Sequence, residues 1–150
     1  MLFTSISPEA FDSKNISEDI HQMNDYIKNF LVNAPPSHEI PFDELQEIRR
    51  QGGGLLAFQP YSDQAENREV GNGNHKVMIR IFNHDSPDFI YMHIHGGGHC
   101  IGAADMQDQS LEKISKNLNC VVVSVEYRLA PTNPYPAAPD DCETAAVWLI

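Results

Sequence analysis

His93-Ile94-His95-Gly96-Gly97-Gly98-His99-Cys100-Ile101-Gly102 is the stretch on which the fold turns. An apolar segment over 89–95 leads into it and reads as a β-strand. The segment over 105–118 leads out and reads as a helix, with Leu111, Ile114 and Leu118 on one stripe and Asn119 as its C-terminal cap. A glycine run between a strand and a helix lies where open α/β sheets bind their ligands. Three chemistries compete for it. A dinucleotide cradle needs Gly-x-Gly-x-x-Gly, but Ile101 stands where the third glycine belongs. A P-loop through Gly97 and Gly102 would need Lys-Ser/Thr next, and Ala103-Ala104 follow instead. A metal site could use His93 and His95, which share a strand face, with His99 or Cys100 completing the set. A His-x-His pair alone is a weak signal, and no acidic partner stands nearby to orient it. The third chemistry is an oxyanion hole. Consecutive glycines take dihedrals closed to other residues and bring backbone N–H groups close to a substrate.

Working outward, Val121-Val122-Val123-Ser124-Val125 is a nearly continuous β-branched run, as expected of a strand buried on both faces. Strand, helix, strand over 89–125 make a βαβ unit, so 89–94 and 121–125 are expected to be parallel in one sheet. Val77, Ile79 and Ile81 alternate with Met78, Arg80 and Phe82 in a third strand. Its hairpin partner is expected at 66–70, across Gly71-Asn72-Gly73-Asn74. In the other direction, Pro131, Pro134, Pro136 and Pro139 enforce an extended loop. Arg128 is expected to anchor that loop through a carboxylate or carbonyl, and Tyr135-Pro136 is a candidate cis bond. Asp140 or Asp141 is expected to cap a last helix, with Trp148 in the core.

Residues 1–60 read as helical. Ser17 precedes Glu18 and Asp19 as an N-cap, and Ile20, Met23, Ile27, Phe30 and Leu31 recur at helical spacing. Ala34-Pro35-Pro36 stops that helix. A second helix fits Phe42–Arg50, stopped by Gly52-Gly53-Gly54.

His95-Gly96-Gly97-Gly98 and Gly102, followed by Val125-Glu126-Tyr127-Arg128-Leu129-Ala130-Pro131 and Tyr135-Pro136-Ala137-Ala138-Pro139-Asp140-Asp141, resemble the hormone-sensitive-lipase-like family of α/β-hydrolases. That family usually reads Asp-Tyr-Arg-Leu-Ala-Pro-Glu at the second motif. Here Glu126 replaces the Asp and Thr132 the Glu, while His99-Cys100 stand where an aromatic and an aliphatic residue are common. The resemblance implies the N-terminal portion of an α/β-hydrolase fold, a mostly parallel sheet with flanking helices, over 61–150. It implies a helical cap region over 1–60.

The implied chemistry is carboxylic ester hydrolysis by a serine nucleophile, without cofactor or metal, on a small acyl-ester substrate. Gly97, with Gly96 or Gly98, would form the oxyanion hole, and His95 would brace the loop. The family's serine, acid and histidine come later than residue 150, and none is assigned here. No serine sits in Gly-x-Ser-x-Gly. Ser110 and Ser115 lie on the expected helix and Ser124 in the buried strand. The expected reading is thus a front portion of a longer serine esterase or lipase, inactive alone. Its strand over 121–125 would carry an unpaired apolar edge that promotes association. Two alternatives stay open at this point, a non-catalytic small-ligand binder of the same fold and the histidine metal site.

Composition narrows the classes further. The chain has 150 residues, with 10 Lys and Arg against 21 Asp and Glu, for a formal charge of −11. That balance argues against nucleic acid and against a polybasic membrane surface. A chain of this length buries roughly 70% of its unfolded surface and needs no staple. Three cysteines at unrelated spacings suggest reduced thiols and a cytoplasmic setting. The first residues lack the basic and apolar regions of a signal peptide, and no apolar run approaches a membrane span of about 20 residues.

Overall fold

Apolar alternation builds the sheet. The computed structural model of the chain describes residues 7–51, 60–73 and 75–150. Strand β2 (His75–Phe82) buries Val77, Ile79 and Ile81 on one face and Phe82 on the other. It pairs antiparallel with β1 (Ala65–Asn72), from Ala65↔Phe82 to Asn72↔His75. The pairing runs two residues further into the turn than the expected 66–70. Gly71 makes this possible: at φ +128° a side chain there would bring its Cβ within 2.3 Å of the His75 carbonyl. Asn74 of the turn and the glycines at 52–54 lie outside the described residues.

Strand β3 (Phe89–Ile94) and β4 (Cys120–Glu126) are parallel, in register from Phe89↔Cys120 to Ile94↔Val125. Helix α3 (Asp108–Leu118) joins them, and Asn119 closes it in the left-handed conformation at φ 52°. The helix starts three residues later than the expected 105, and its first residue, Asp108, is buried against Arg80. Leu118 is exposed, whereas Leu111 is buried with Phe82, Cys120 and Val122. Burial of side chains this size stabilises by about 1.5–3 kcal/mol each.

Helix α4 (Ala137–Leu149) covers the opposite face, with Ala138 and Ala145 against Val77, Ile79, Val123 and Val125. It begins before the expected aspartate caps. Pro136 is the N-cap, and Pro139 falls in the first turn, where a missing N–H is harmless. Asp141 is inside the helix and 1% exposed. Trp148 is not core. The inward stripe runs through Ala138, Asp141 and Ala145, which leaves Trp148 41% exposed on the flank.

The strand order is β1-β2-β4-β3. It corrects the expectation of an open edge at 121–125. β4 pairs antiparallel with β2 on one side and parallel with β3 on the other. Among the described residues the edges are β1 and β3, and β3 is the apolar one, with Phe89, Ile90, Tyr91 and Ile94 all exposed. Such an edge templates pairing with other chains. Purified chain is therefore expected to associate in a concentration-dependent way by analytical ultracentrifugation. Ile90→Lys, placing a charge on that strand, is expected to lower the association. A monomer at all concentrations would contradict this.

Residues Met1–Pro41 form one unit and Phe42–Ile150 the other. The first holds two 3₁₀ turns and helix α1 (Glu18–Asn33), ended before Pro35. Ser17 is its N-cap residue without a side-chain cap bond. Helix α2 (Phe42–Arg50) belongs to the second unit.

Candidate active site

The glycine loop leaves the C-terminal end of β3. Gly97 sits at φ +127° and Gly98 at φ +61°, both left-handed. At Gly97 an added Cβ would stand 1.9 Å from the Ile101 carbonyl, so no side chain fits. The loop turns back on itself there, as the Cys100 and Ile101 N–H groups both donate to the Gly97 carbonyl at 3.1 Å. The N–H groups of Gly96, Gly97 and Gly98 donate to no acceptor among the described residues. All three glycines are exposed, so water or a ligand can reach these donors.

Packing behind the loop is tight. His95 is 5% exposed, and its ring stacks on Tyr127 with centroids 4.0 Å apart and planes 10° from parallel. His95 Nδ1 lies 2.9 Å from the Gly96 carbonyl, and Tyr127 Oη donates to the His95 carbonyl at 2.7 Å. A carbonyl accepts, so Nδ1 carries the proton and Nε2 does not. Burial pushes the His95 pKa down and keeps the ring neutral. Gly102 is fixed by the same ring: a Cβ there would lie 2.6 Å from His95 Nδ1 and 2.5 Å from the Gly96 carbonyl. His99 is a non-glycine residue at φ 60°, held by the Ala130 N–H donating to its carbonyl at 2.9 Å. From α2, Gln46 Nε2 donates to the Cys100 carbonyl at 3.2 Å.

His93 and His95, paired on sequence as possible metal ligands, have separate partners. His93 Nδ1 is 2.9 Å from Ser124 Oγ, and Ser124 Oγ donates to the Ala104 carbonyl at 2.9 Å. The single hydroxyl proton is used there, so His93 Nδ1–H is the donor to Ser124. This pair resembles a serine–histidine dyad only in distance. Ser124 is fully buried, its proton faces a carbonyl, and its histidine cannot accept that proton. Among the described residues no three His, Cys, Asp or Glu side chains converge as a metal site.

Arg128 anchors the proline-rich loop as expected. Its guanidinium makes a two-pronged contact with Asp141, at 2.8 Å from Nη2 and 2.9 Å from Nε, and its own N–H donates to Asp141 at 2.8 Å. His75 Nε2 lies 2.8 Å from the same carboxylate, at ion-pair distance without hydrogen-bond geometry. The peptide bonds Ala130-Pro131 and Tyr135-Pro136 are both cis.

Two contacts were not foreseen from the sequence. Arg80 and Asp108 form a buried ion pair, with Nε to Oδ1 at 2.8 Å, and Asp108 also accepts the Ser62 N–H at 2.8 Å. Glu126 accepts the Ala104 N–H at 2.5 Å. The signal for the first was legible: Arg80 interrupts an otherwise apolar segment, and a buried guanidinium needs a carboxylate.

Residues 91–150 match a family described as alpha/beta hydrolase fold. An arylesterase of Saccharolobus solfataricus is 31% identical over 129 residues, covering 81% of this chain and 42% of that protein. A probable carboxylesterase of Arabidopsis thaliana is 44% identical over 62 residues, 40% of this chain and 18% of that protein. Among solved structures, an esterase from the bacterial hormone-sensitive lipase family superposes with a TM-score of 0.65 at 24% identity, over 89% of this chain and 43% of that one. The chain thus spans less than half the length of these relatives.

Proposed function

We propose that the protein carrying this chain, which has an α/β-hydrolase fold, is a hormone-sensitive-lipase-like enzyme that hydrolyses small carboxylic esters by serine-nucleophile catalysis. Residues 1–150 supply the oxyanion hole, Gly97 with Gly96 or Gly98. The carrying observation is that three consecutive exposed glycines just after β3 have N–H groups with no acceptor among the described residues. His95 braces the loop from behind and, being neutral, adds no charge that would compete for the oxyanion. The donors are thus oriented before substrate arrives, the condition under which such groups stabilise a tetrahedral intermediate best.

No Gly-x-Ser-x-Gly occurs in residues 1–150. The nucleophile, acid and base are therefore assigned outside them, and the helical residues 1–60 to the cap of the site. No cofactor is called for by this reaction. No helix among the described residues is long and apolar enough to cross a membrane.

The test uses a short-chain nitrophenyl ester and an organophosphate that labels active serines. Residues 1–150 alone are expected to show no turnover. The longer protein is expected to turn over the ester and to be labelled at a serine outside 1–150. A labelled serine within 1–150 would overturn the assignment. A longer protein that binds esters without turnover or labelling would make it a non-catalytic binder.

A further inference from the structure

The exit of the glycine loop is clamped from one strand. Ala104 is 3% exposed and follows the loop by two residues. Both its backbone groups are taken by side chains of β4: the N–H donates to Glu126 Oε2, and the carbonyl accepts from Ser124 Oγ. Ser124 is in turn held by His93 of β3. The loop entry is fixed separately by Tyr127 on the His95 carbonyl. Loop entry and loop exit are therefore both referenced to consecutive residues of one buried strand and its continuation. Glu126 is also where this chain departs from the aspartate usual in its family, and its longer side chain is the one that spans to Ala104.

We propose that Glu126 is a positioning residue, one that sets the geometry of the Gly96, Gly97 and Gly98 N–H groups by holding the Ala104 N–H. The bond is charge-assisted when the carboxyl is ionised, and such bonds are about twice as strong as neutral ones. Glu126 also lines a cavity of about 180 Å³ with Asn67, Met78, Arg80 and Asp105. The charged groups facing it are Asp105 from the loop, Arg50 from α2 and Arg80 from β2, the last already neutralised by Asp108. Burial, followed by repulsion from Asp105, pushes the Glu126 pKa up, against the pull of the Ala104 N–H and Arg50.

Two opposite pH dependences follow. A carboxyl raised in the folded state stabilises the fold most below its unfolded value, and that contribution is lost as pH rises through the raised value. The grip on Ala104 moves the other way, strengthening as the carboxylate forms. A residue that served only the stability of the fold would show the first trend alone.

The experiment is amide hydrogen exchange by NMR on residues 1–150, expressed as protection relative to the β4 amides of Val122 and Val123. It concerns loop geometry and needs no turnover, so its failure is distinct from failure of the esterase reading. Wild type is expected to gain relative protection at Ala104 as pH rises through the Glu126 titration. Glu126→Ala is expected to lose on the order of 10- to 100-fold protection at Ala104, the range for a hydrogen bond to a charged group, with β4 unchanged. Glu126→Gln keeps an acceptor of the same reach. It is expected to retain most of that protection and to lose the pH dependence, and it decides the matter if Glu126→Ala does not fold. Equal loss at Ala104 and β4, or a pH dependence that survives in Glu126→Gln, would overturn the proposal.

Discussion

On the proposed function, replacing Gly97 by alanine is expected to lower kcat/KM for the ester in the protein carrying this chain by about 100- to 1,000-fold, the effect of losing one oxyanion donor. The cause is steric and local. The new Cβ would fall 1.9 Å from the Ile101 carbonyl and 2.6 Å from its carbon, both backbone atoms that cannot swing aside. The loop must then open, and the Gly97 N–H leaves its direction. Gly98→Ala is the matched comparison. Nothing lies within 4 Å of a Cβ at Gly98, so only the left-handed backbone is penalised, by about 1–2 kcal/mol. Its N–H keeps its direction, and kcat/KM is expected to fall far less. Steady-state kinetics on the two variants check this. An unchanged value in Gly97→Ala would take the glycine loop out of the reaction.

Asp108→Ala is expected to destabilise the fold by about 3–5 kcal/mol, because it strands a charged guanidinium in the interior. Arg80 is 9% exposed, so little water is at hand to replace the carboxylate. The same carboxylate carries the Ser62 N–H, so two buried donors lose their acceptor at once. Asn67 and the Ser62 carbonyl still accept from Arg80, but neither neutralises it. Urea denaturation of wild type and variant at matched concentration measures the difference. The paired replacement Arg80→Met with Asp108→Leu is expected to recover most of it, since an apolar pair leaves nothing buried and uncompensated. A loss under about 1 kcal/mol in Asp108→Ala would contradict the assignment of this pair as buried and mutually dependent.

The elements that were legible are those with a local signature. The β-branched run at 121–125, the alternation at 77–82 and the glycine turn at 71–73 each specify a strand or turn from adjacent residues. The parallel pairing of 89–94 with 121–125 follows from the handedness and length of the intervening helix. Strand order was not legible. Nothing in the β4 sequence says that β2 takes its second edge, and the exposed strand is consequently β3 rather than β4. Carboxylates were misassigned for a related reason. Asp141 has the sequence context of a helix cap, but Arg128, 13 residues away, claims it for the loop. Glu126 stands in a recognisable motif, yet its partner is a backbone N–H 22 residues back. Polar side chains satisfy one another across the fold, and sequence spacing carries little of that.

Within the candidate site, the glycines were legible because their conformations are closed to other residues, and the structure accordingly has Gly97, Gly98 and Gly102 at positive φ. His95 read only as a brace. Its stacking on Tyr127, whose hydroxyl also donates to the His95 carbonyl, ties the glycine loop to the second motif in space.

The most direct measurement is a crystal structure of the full-length protein after reaction with an organophosphonate ester. A phosphonyl oxygen is expected about 2.7–3.1 Å from the Gly97 nitrogen and from that of Gly96 or Gly98. His95 is expected still stacked on Tyr127, and the phosphorus bonded to a serine outside residues 1–150. A phosphonyl oxygen held by other donors, with the three glycine N–H groups out of reach, would contradict the oxyanion assignment.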